Sequence, residues 1–345
     1  MRNPGGSRLA GRVRVAAAMA AAPGPHPGAT SRVPVHPTTI ERRFLMTHAV
    51  ALTGFGNPEV LRPIDVAVPD PGPGQIRVAL RLAGVGPTDL ALRSGRLKAF
   101  GVQEGTLLGF EGAGTVESVG AGIDDVAPGD EVAVFLPGVG GYAELAIAEF
   151  WVRKPATVSW EDAAALPASG EAAVRVLDQV SVADGDTLLV LGAAGSVGTI
   201  VTQLAIARGA TVIAAVRPAD FETVKGFGAV PVAYGTDLVA NVRARATHVD
   251  AVVDAGTHSD LGAAVTLTGG PERVVTLTGS SGAALGVRLS GPEPDGIFDA
   301  LSEAMSRLAD GRLVLRSRTV IPLDAAAEAH RRLEAGERSK FLLVP

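Results

Sequence analysis

A chain of 345 residues with 47% apolar and 19% charged side chains is long enough for two packed domains, and its composition excludes a fibrous, wholly disordered or membrane-embedded protein. Its net charge of −5 and 4% aromatic content leave no basic, ring-studded surface of the kind that holds nucleic acid. The chain has no cysteine, which excludes disulfides, thiolate nucleophiles and cysteine-ligated zinc.

The first 45 residues differ from the rest. They carry seven arginines against one acid, Glu41, a balance of +6 that leaves −11 for the remainder. This Ala/Pro/Gly-rich basic extension shows no sustained period and is expected to be disordered, with Met46 opening the fold. Its alanine-rich stretch 15–22 imitates a signal peptide only weakly, so a cytoplasmic protein is expected. No run approaches the roughly 20 apolar residues of a membrane span.

From residue 48, short strands are expected at 49–53, 75–82, 114–119, 131–135 and 142–147. They are broken by turns such as Pro69-Asp-Pro-Gly-Pro-Gly74 and Ala127-Pro-Gly-Asp130, the mark of a compact β-rich domain. Near Ser159 the period changes. Residues 161–166 and 171–178 read as helices, with Ser159 and Ser169 as N-terminal caps. Strands at 187–191, 211–216, 230–233, 249–254 and 273–278 then alternate with helices at 197–207, 221–227, 238–245 and 261–267. Continuous apolar strands between helices indicate an α/β fold, a parallel sheet covered on both faces. A short strand at 286–289, a helix at 295–308, a strand at 313–318, a helix at 325–333 and a last strand at 341–344 complete the chain.

The first strand of the alternating series runs directly into Gly192-Ala193-Ala194-Gly195-Ser196-Val197-Gly198, which opens a helix. Gly192 permits a tight turn, Gly195 lets backbone approach a pyrophosphate, and Gly198 lets helix and strand pack closely. Phosphates would sit at the helix N-terminus, where free N–H groups and the helix dipole favour an anion. A glycine triplet alone is weak in a chain with 43 glycines. Its place between a strand and a helix makes it a dinucleotide site. The end of the next strand reads Val212-Ile-Ala-Ala-Val-Arg217, with arginine where an NAD site carries an acid, which favours NADPH. Asp220 is expected to cap the following helix. Lys225 is a second phosphate partner or a solvated surface lysine.

The order of further motifs is similar to a known family. Gly54-Phe-Gly-Asn-Pro-Glu-Val-Leu61, Gly84-Val-Gly-Pro-Thr-Asp89, Gly109-Phe-Glu-Gly-Ala-Gly-Thr-Val116, Gly140-Gly-Tyr-Ala-Glu144 and Val252-Val-Asp-Ala-Gly256 carry the match. Over residues 47–345 the chain resembles the zinc-free quinone oxidoreductase branch of the medium-chain dehydrogenase/reductase superfamily. The resemblance implies a discontinuous GroES-like catalytic domain, residues 46–165 and 292–345. Inserted in it is a Rossmann, doubly wound parallel-sheet domain over residues 166–291. It implies Ala194, Gly195, Ser196 and Val197 against the pyrophosphate, and Arg217, Lys225 and Tyr234 around the adenosine phosphate. Thr278 and Gly279 would lie near the nicotinamide end, and Lys340 in the place of a terminal lysine that reaches the cofactor. Tyr234 also reads as a loop-packing residue and Lys340 as an exposed one.

Zinc-dependent relatives carry a cysteine within the segment 84–89 and a histidine where this chain has Phe110. Neither is present, and the six histidines show no ligand spacing, so no metal is expected. Asp89 and Glu111 read as structural carboxylates capping turns. Without a Lewis acid, hydride addition suits an acceptor that is already electron-poor: a quinone, or the conjugated C=C of an α,β-unsaturated carbonyl. The expected activity is therefore NADPH-dependent reduction of a small hydrophobic acceptor of that kind. Its alternatives are an enoyl or tailoring reductase of secondary metabolism and a catalytically weak NADPH-binding sensor. No residue stands out as the general acid, and water can supply the proton. By the same resemblance, the edge strand at 286–289 implies a homodimer.

Overall fold

The computed structural model describes residues 45–98, 101–257, 259–278 and 280–345. The expectation for the basic extension, Leu45 apart, lies outside the described residues, as does Gly279.

The first part of the chain is β-rich. Strands β1 (Leu45–Leu52) and β2 (Leu61–Val68) form an antiparallel ribbon. Then come β3 (Ile76–Gly84), helix α1 (Pro87–Arg93), β4 (Glu111–Val119), β5 (Glu131–Phe135), β6 (Leu145–Ala148) and β7 (Phe150–Arg153). Strand β2 was not anticipated, because Arg62, Pro63 and Asp65 interrupt its apolar pattern; one face is exposed and it pairs only with β1. The expected strand at 142–147 is shorter, β6, and β7 follows it almost at once.

Two helices lead out of this region, α2 (Trp160–Ala165) and α3 (Pro167–Gln179). Ser159 caps α2 by accepting the Asp162 N–H. Ser169 is not a cap. Pro167 starts α3 at its first position, where a missing N–H is harmless, and Ser169 is buried inside the helix.

The second part alternates as the hydrophobic pattern requires. It comprises β8 (Thr187–Leu191), α4 (Ser196–Ala207), β9 (Thr211–Val216), α5 (Phe221–Gly226), β10 (Val230–Ala233), α6 (Leu238–Arg243), β11 (Ala251–Asp254), α7 (Leu261–Thr268), β12 (Val274–Thr276) and β13 (Arg288–Leu289). These six strands form one parallel sheet in the order β10-β9-β8-β11-β12-β13. Leu188, Val190, Val212 and Ala214 pack on one face with α3 and α4, and Leu189, Leu191, Ile213 and Ala215 on the other with α6 and α7. Burial on both faces is why these strands read as unbroken apolar runs. The chain leaves β8 in one direction and returns on its other side as β11. The strand order therefore reverses between β8 and β11, and the crevice at their carboxyl ends is where ligands of such sheets bind.

After α8 (Ile297–Ala309) the chain returns to the first sheet through β14 (Arg318–Pro322), α9 (Ala326–Glu334) and β15 (Lys340–Val344). Strand β15 lies between β14 and β3, giving a seven-stranded sheet with the path β14-β15-β3-β4-β5-β7 and β6 beside β3. The architecture is a GroES-like β-rich unit, completed by the C-terminal strands, together with a Rossmann-like parallel sheet. The expected strand at 313–318 is displaced: residues 313–317 join no ladder, and pairing begins only at Arg318. Among the described residues, no helix is long and apolar enough to cross a membrane.

Candidate functional site

The turn after β8 is built by close backbone approach. Gly192 has φ +73°, and a Cβ there would lie 2.8 Å from the Gly256 N, on the loop after β11. Both conditions demand glycine. Register places Leu191 beside Asp254, so the β8 and β11 loops emerge side by side at the strand reversal. Gly195 is the N-cap of α4, and no side chain caps that helix. A Cβ on Gly195 would stand 3.1 Å from the Gly192 carbonyl oxygen. An uncapped N-terminus on a 12-residue helix, beside a turn where Gly192 and Gly195 leave backbone open, fits a dinucleotide phosphate. Ala194, Ser196 and Val197 are all half-buried around it.

The other expected cofactor residues fall into three groups. Thr278 lies next to this crevice: its hydroxyl donates to the Gly256 carbonyl, and its N–H donates to Thr276 Oγ1 at 3.1 Å. Thr276 donates in turn to buried Asp254 at 2.7 Å, and burial raises that carboxyl above its ordinary range. Arg217 follows β9 and is half-exposed, with Nε 3.7 Å from the Asp220 carboxylate. Lys225 and Tyr234 are exposed, and Lys225 pairs with Glu222 at 2.7 Å.

Lys340 is not an exposed residue. It is 7% accessible, its ammonium ion-pairs with buried Glu111, and it donates to the Val85 carbonyl at 3.0 Å. It nevertheless borders the same cavity as Ser196 and Ile200 of α4. The other oxygen of Glu111 accepts the Ala168 N–H at 2.8 Å in the first turn of α3. Asp89 accepts from Gly86 N and Gly109 N, both at 2.8 Å. Its burial pushes the carboxyl up to about 6, against those two hydrogen bonds and the Lys340 charge. Both acids therefore satisfy buried turn and helix N–H groups, the structural role read from the sequence.

The reading of Asp220 needs correction. It makes no capping bond to α5; instead Arg338 grips it with two guanidinium N–H groups, one to each oxygen. Sequence reasoning passed over Arg316 and Arg338 because the pattern around them describes only a strand and a turn. A signal was present in the arginines at 312, 316 and 318, closely spaced just before the end strands of the return segment.

A profile of the alcohol dehydrogenase GroES-like domain matches residues 72–155. The quinone oxidoreductase of Pseudomonas aeruginosa is 36% identical over 174 residues, 50% of this chain and 53% of the relative. The chain thus spans about half the length of that curated relative. The solved quinone oxidoreductase of Coxiella burnetii superimposes with a TM-score of 0.77 at 26% identity, over 87% of this chain and 100% of that one. These likenesses support placing the chain with the quinone oxidoreductase branch of the medium-chain dehydrogenase/reductase superfamily. The mycobacterial protein Rv1454c complexed with NADPH, 28% identical, matches over 87% of this chain and 100% of its own with a TM-score of 0.75.

By residue type alone, Tyr142 and His330 would suit acid–base chemistry. Both are fully buried, and the tyrosine hydroxyl meets His330 Nε2 at 3.0 Å. Burial drives the Tyr142 phenol well above its usual range and, with Arg93 nearby, pushes the imidazole down to about 3. This enclosed pair joins α9 to the segment before β6.

Proposed function

We propose that the protein is an NADPH-dependent, zinc-independent oxidoreductase acting on a quinone or on the conjugated C=C of an α,β-unsaturated carbonyl. The observation that carries this reading is the uncapped α4 N-terminus on a glycine-rich turn, at the point where the strand order of the parallel sheet reverses. A bound reduced nicotinamide dinucleotide would supply the hydride. Gly192, Ala194, Gly195, Ser196, Val197 and Gly198 would receive the pyrophosphate, and Arg217, with Lys225 and Tyr234 further out, the adenosine phosphate. Thr278 and Gly279 would border the nicotinamide end. The hydrogen-bonded chain Asp254–Thr276–Thr278 holds that wall rigid, and Lys340, held by Glu111 and Val85, closes the floor. Positioning of this kind can supply much of the rate when the acceptor is already electron-poor.

Zinc independence rests on the lack of cysteine and on Phe110 before Glu111. Preference for NADPH rests on Arg217 in place of an acid after β9, together with the NADPH complex of the mycobacterial relative. The cytoplasmic assignment rests on the type of fold. The test is to mix the purified full chain with NADPH and, separately, a quinone, an enone and an enoyl thioester, following the reduced-nicotinamide absorbance. We expect decay with the quinone or the enone. Decay only with the thioester points to an enoyl reductase. Tight NADPH binding without decay for any acceptor points to a cofactor-binding sensor.

A homodimer belongs to the same proposal. Strand β13 ends the parallel sheet, and Leu289 on it is 56% exposed. An apolar edge of this kind invites pairing with another strand. Light scattering at micromolar concentration is expected to give twice the chain mass, and the mass of one chain would refute it.

A further inference from the structure

Resting on the NADPH reading, we infer that the adenosine phosphate is gripped mainly from the return segment, by Arg316 together with Arg338, and that Asp220 organises these arginines rather than meeting the ribose.

Residues 313–317 join no strand ladder, yet they are held in place. The side-chain amide of Gln203 on α4 pairs with both backbone groups of Val314, accepting its N–H and donating to its carbonyl, each at 2.9 Å. This two-point attachment fixes the return segment against the dinucleotide helix. Two residues on, Arg316 lines one cavity with Ser196, Ile200 and Lys340. Its guanidinium donates to the Arg338 carbonyl, and it has no carboxylate partner among the described residues. Arg338 spends one N–H on each oxygen of Asp220, and Arg217 stands 3.7 Å from the same carboxylate.

Arg338 and Arg217 thus flank one carboxylate, and Arg316 is tied to the same cluster through the Arg338 carbonyl. Arg316 is half-buried, and desolvation, Arg338 and Arg217 all act against its charge, with Asp220 alone favouring it. Three guanidinium groups beside a single carboxylate leave a net positive, partly exposed cluster that favours a further anion. A phosphate monoester carries nearly two negative charges and three acceptor oxygens, and it matches the planar fork of arginine. The ribose 2′-phosphate of NADPH is such a group; the pyrophosphate common to NADPH and NADH belongs to the α4 N-terminus. Coenzyme choice is then divided between the parallel sheet, which supplies Arg217 and Asp220, and the C-terminal return, which supplies Arg316 and Arg338.

The test uses two small probes that differ only in this phosphate, 2′,5′-ADP and 5′-AMP, titrated calorimetrically into the full chain and into R316L. Loss of one charged hydrogen-bonding partner should weaken 2′,5′-ADP by about tenfold or more while 5′-AMP stays within about twofold. R316K, which keeps the charge without the fork, should lose less. Equal weakening of both probes, or no weakening of 2′,5′-ADP, would overturn the inference and leave the dinucleotide reading intact. If the unsubstituted protein binds neither probe nor NADPH, the dinucleotide reading itself falls. Should R316L fail to fold, R338L is titrated in the same way, and the same contrast between the probes is required.

Discussion

Substituting Gly198 by alanine is expected to abolish measurable dinucleotide binding and to destabilise the protein by about 3 kcal/mol. The added Cβ would lie 2.8 Å from Ala193 Cα and 2.9 Å from the Gly192 carbonyl carbon, and closer still to the oxygen that carbon bears. All three are backbone atoms, so no side-chain rotation can relieve the clash. Helix α4 would have to lift away from β8, taking with it the Ile200, Val201 and Leu204 side chains that fill the core beneath. The N–H groups at its start would leave the crevice at the same time. Gly226 provides an internal control. A Cβ there meets nothing within 4 Å, and its φ is outside the left-handed range. G226A should therefore be neutral or stabilising by up to about 1 kcal/mol, because alanine has less unfolded-state freedom to lose. Thermal melts and NADPH titration of both variants measure this. Equal melting temperatures for G198A and the unsubstituted chain would refute the packing account.

Replacing Lys340 by methionine is expected to destabilise the fold by about 3–5 kcal/mol, as when one partner of a buried ion pair is removed. The Glu111 side chain is 3% exposed and that of Lys340 7%, so the carboxylate left behind could not rehydrate without opening the cleft. Its remaining bond to the Ala168 N–H does not compensate the charge. The double variant E111Q/K340M should recover most of the loss. It removes both charges together, and the glutamine oxygen can still accept from Ala168. Denaturant melts of both variants and the unsubstituted chain decide between outcomes. If the double variant were as unstable as K340M, packing of the lysine stem and not the stranded charge would be responsible.

The sequence reading was strongest where a local rule governs the outcome. Strands β8, β9 and β10 begin and end where the apolar runs do, because residues buried on both faces leave no ambiguity of period. It was weakest where polar residues share an element. β2 carries Arg62, Pro63 and Asp65, and α1 is a seven-residue helix opened by Pro87, too short to show a repeat. Ser169 obeys the preference of serine for helix starts, but Pro167 begins the helix earlier. Asp220 likewise stands at a helix start, and a distant arginine takes its carboxylate instead.

The turn at Gly192–Gly198 was determined by the sequence itself, because positive φ, absent Cβ atoms and the change from strand to helix period are local properties. The tertiary structure alone decided what faces that turn. Lys340 reaches Val85 across 255 positions, and Arg338 reaches Asp220 across 118. Pairings of that range leave no periodicity to read, since they arise only when the last strand inserts beside β3 and brings the end of the chain back to the crevice.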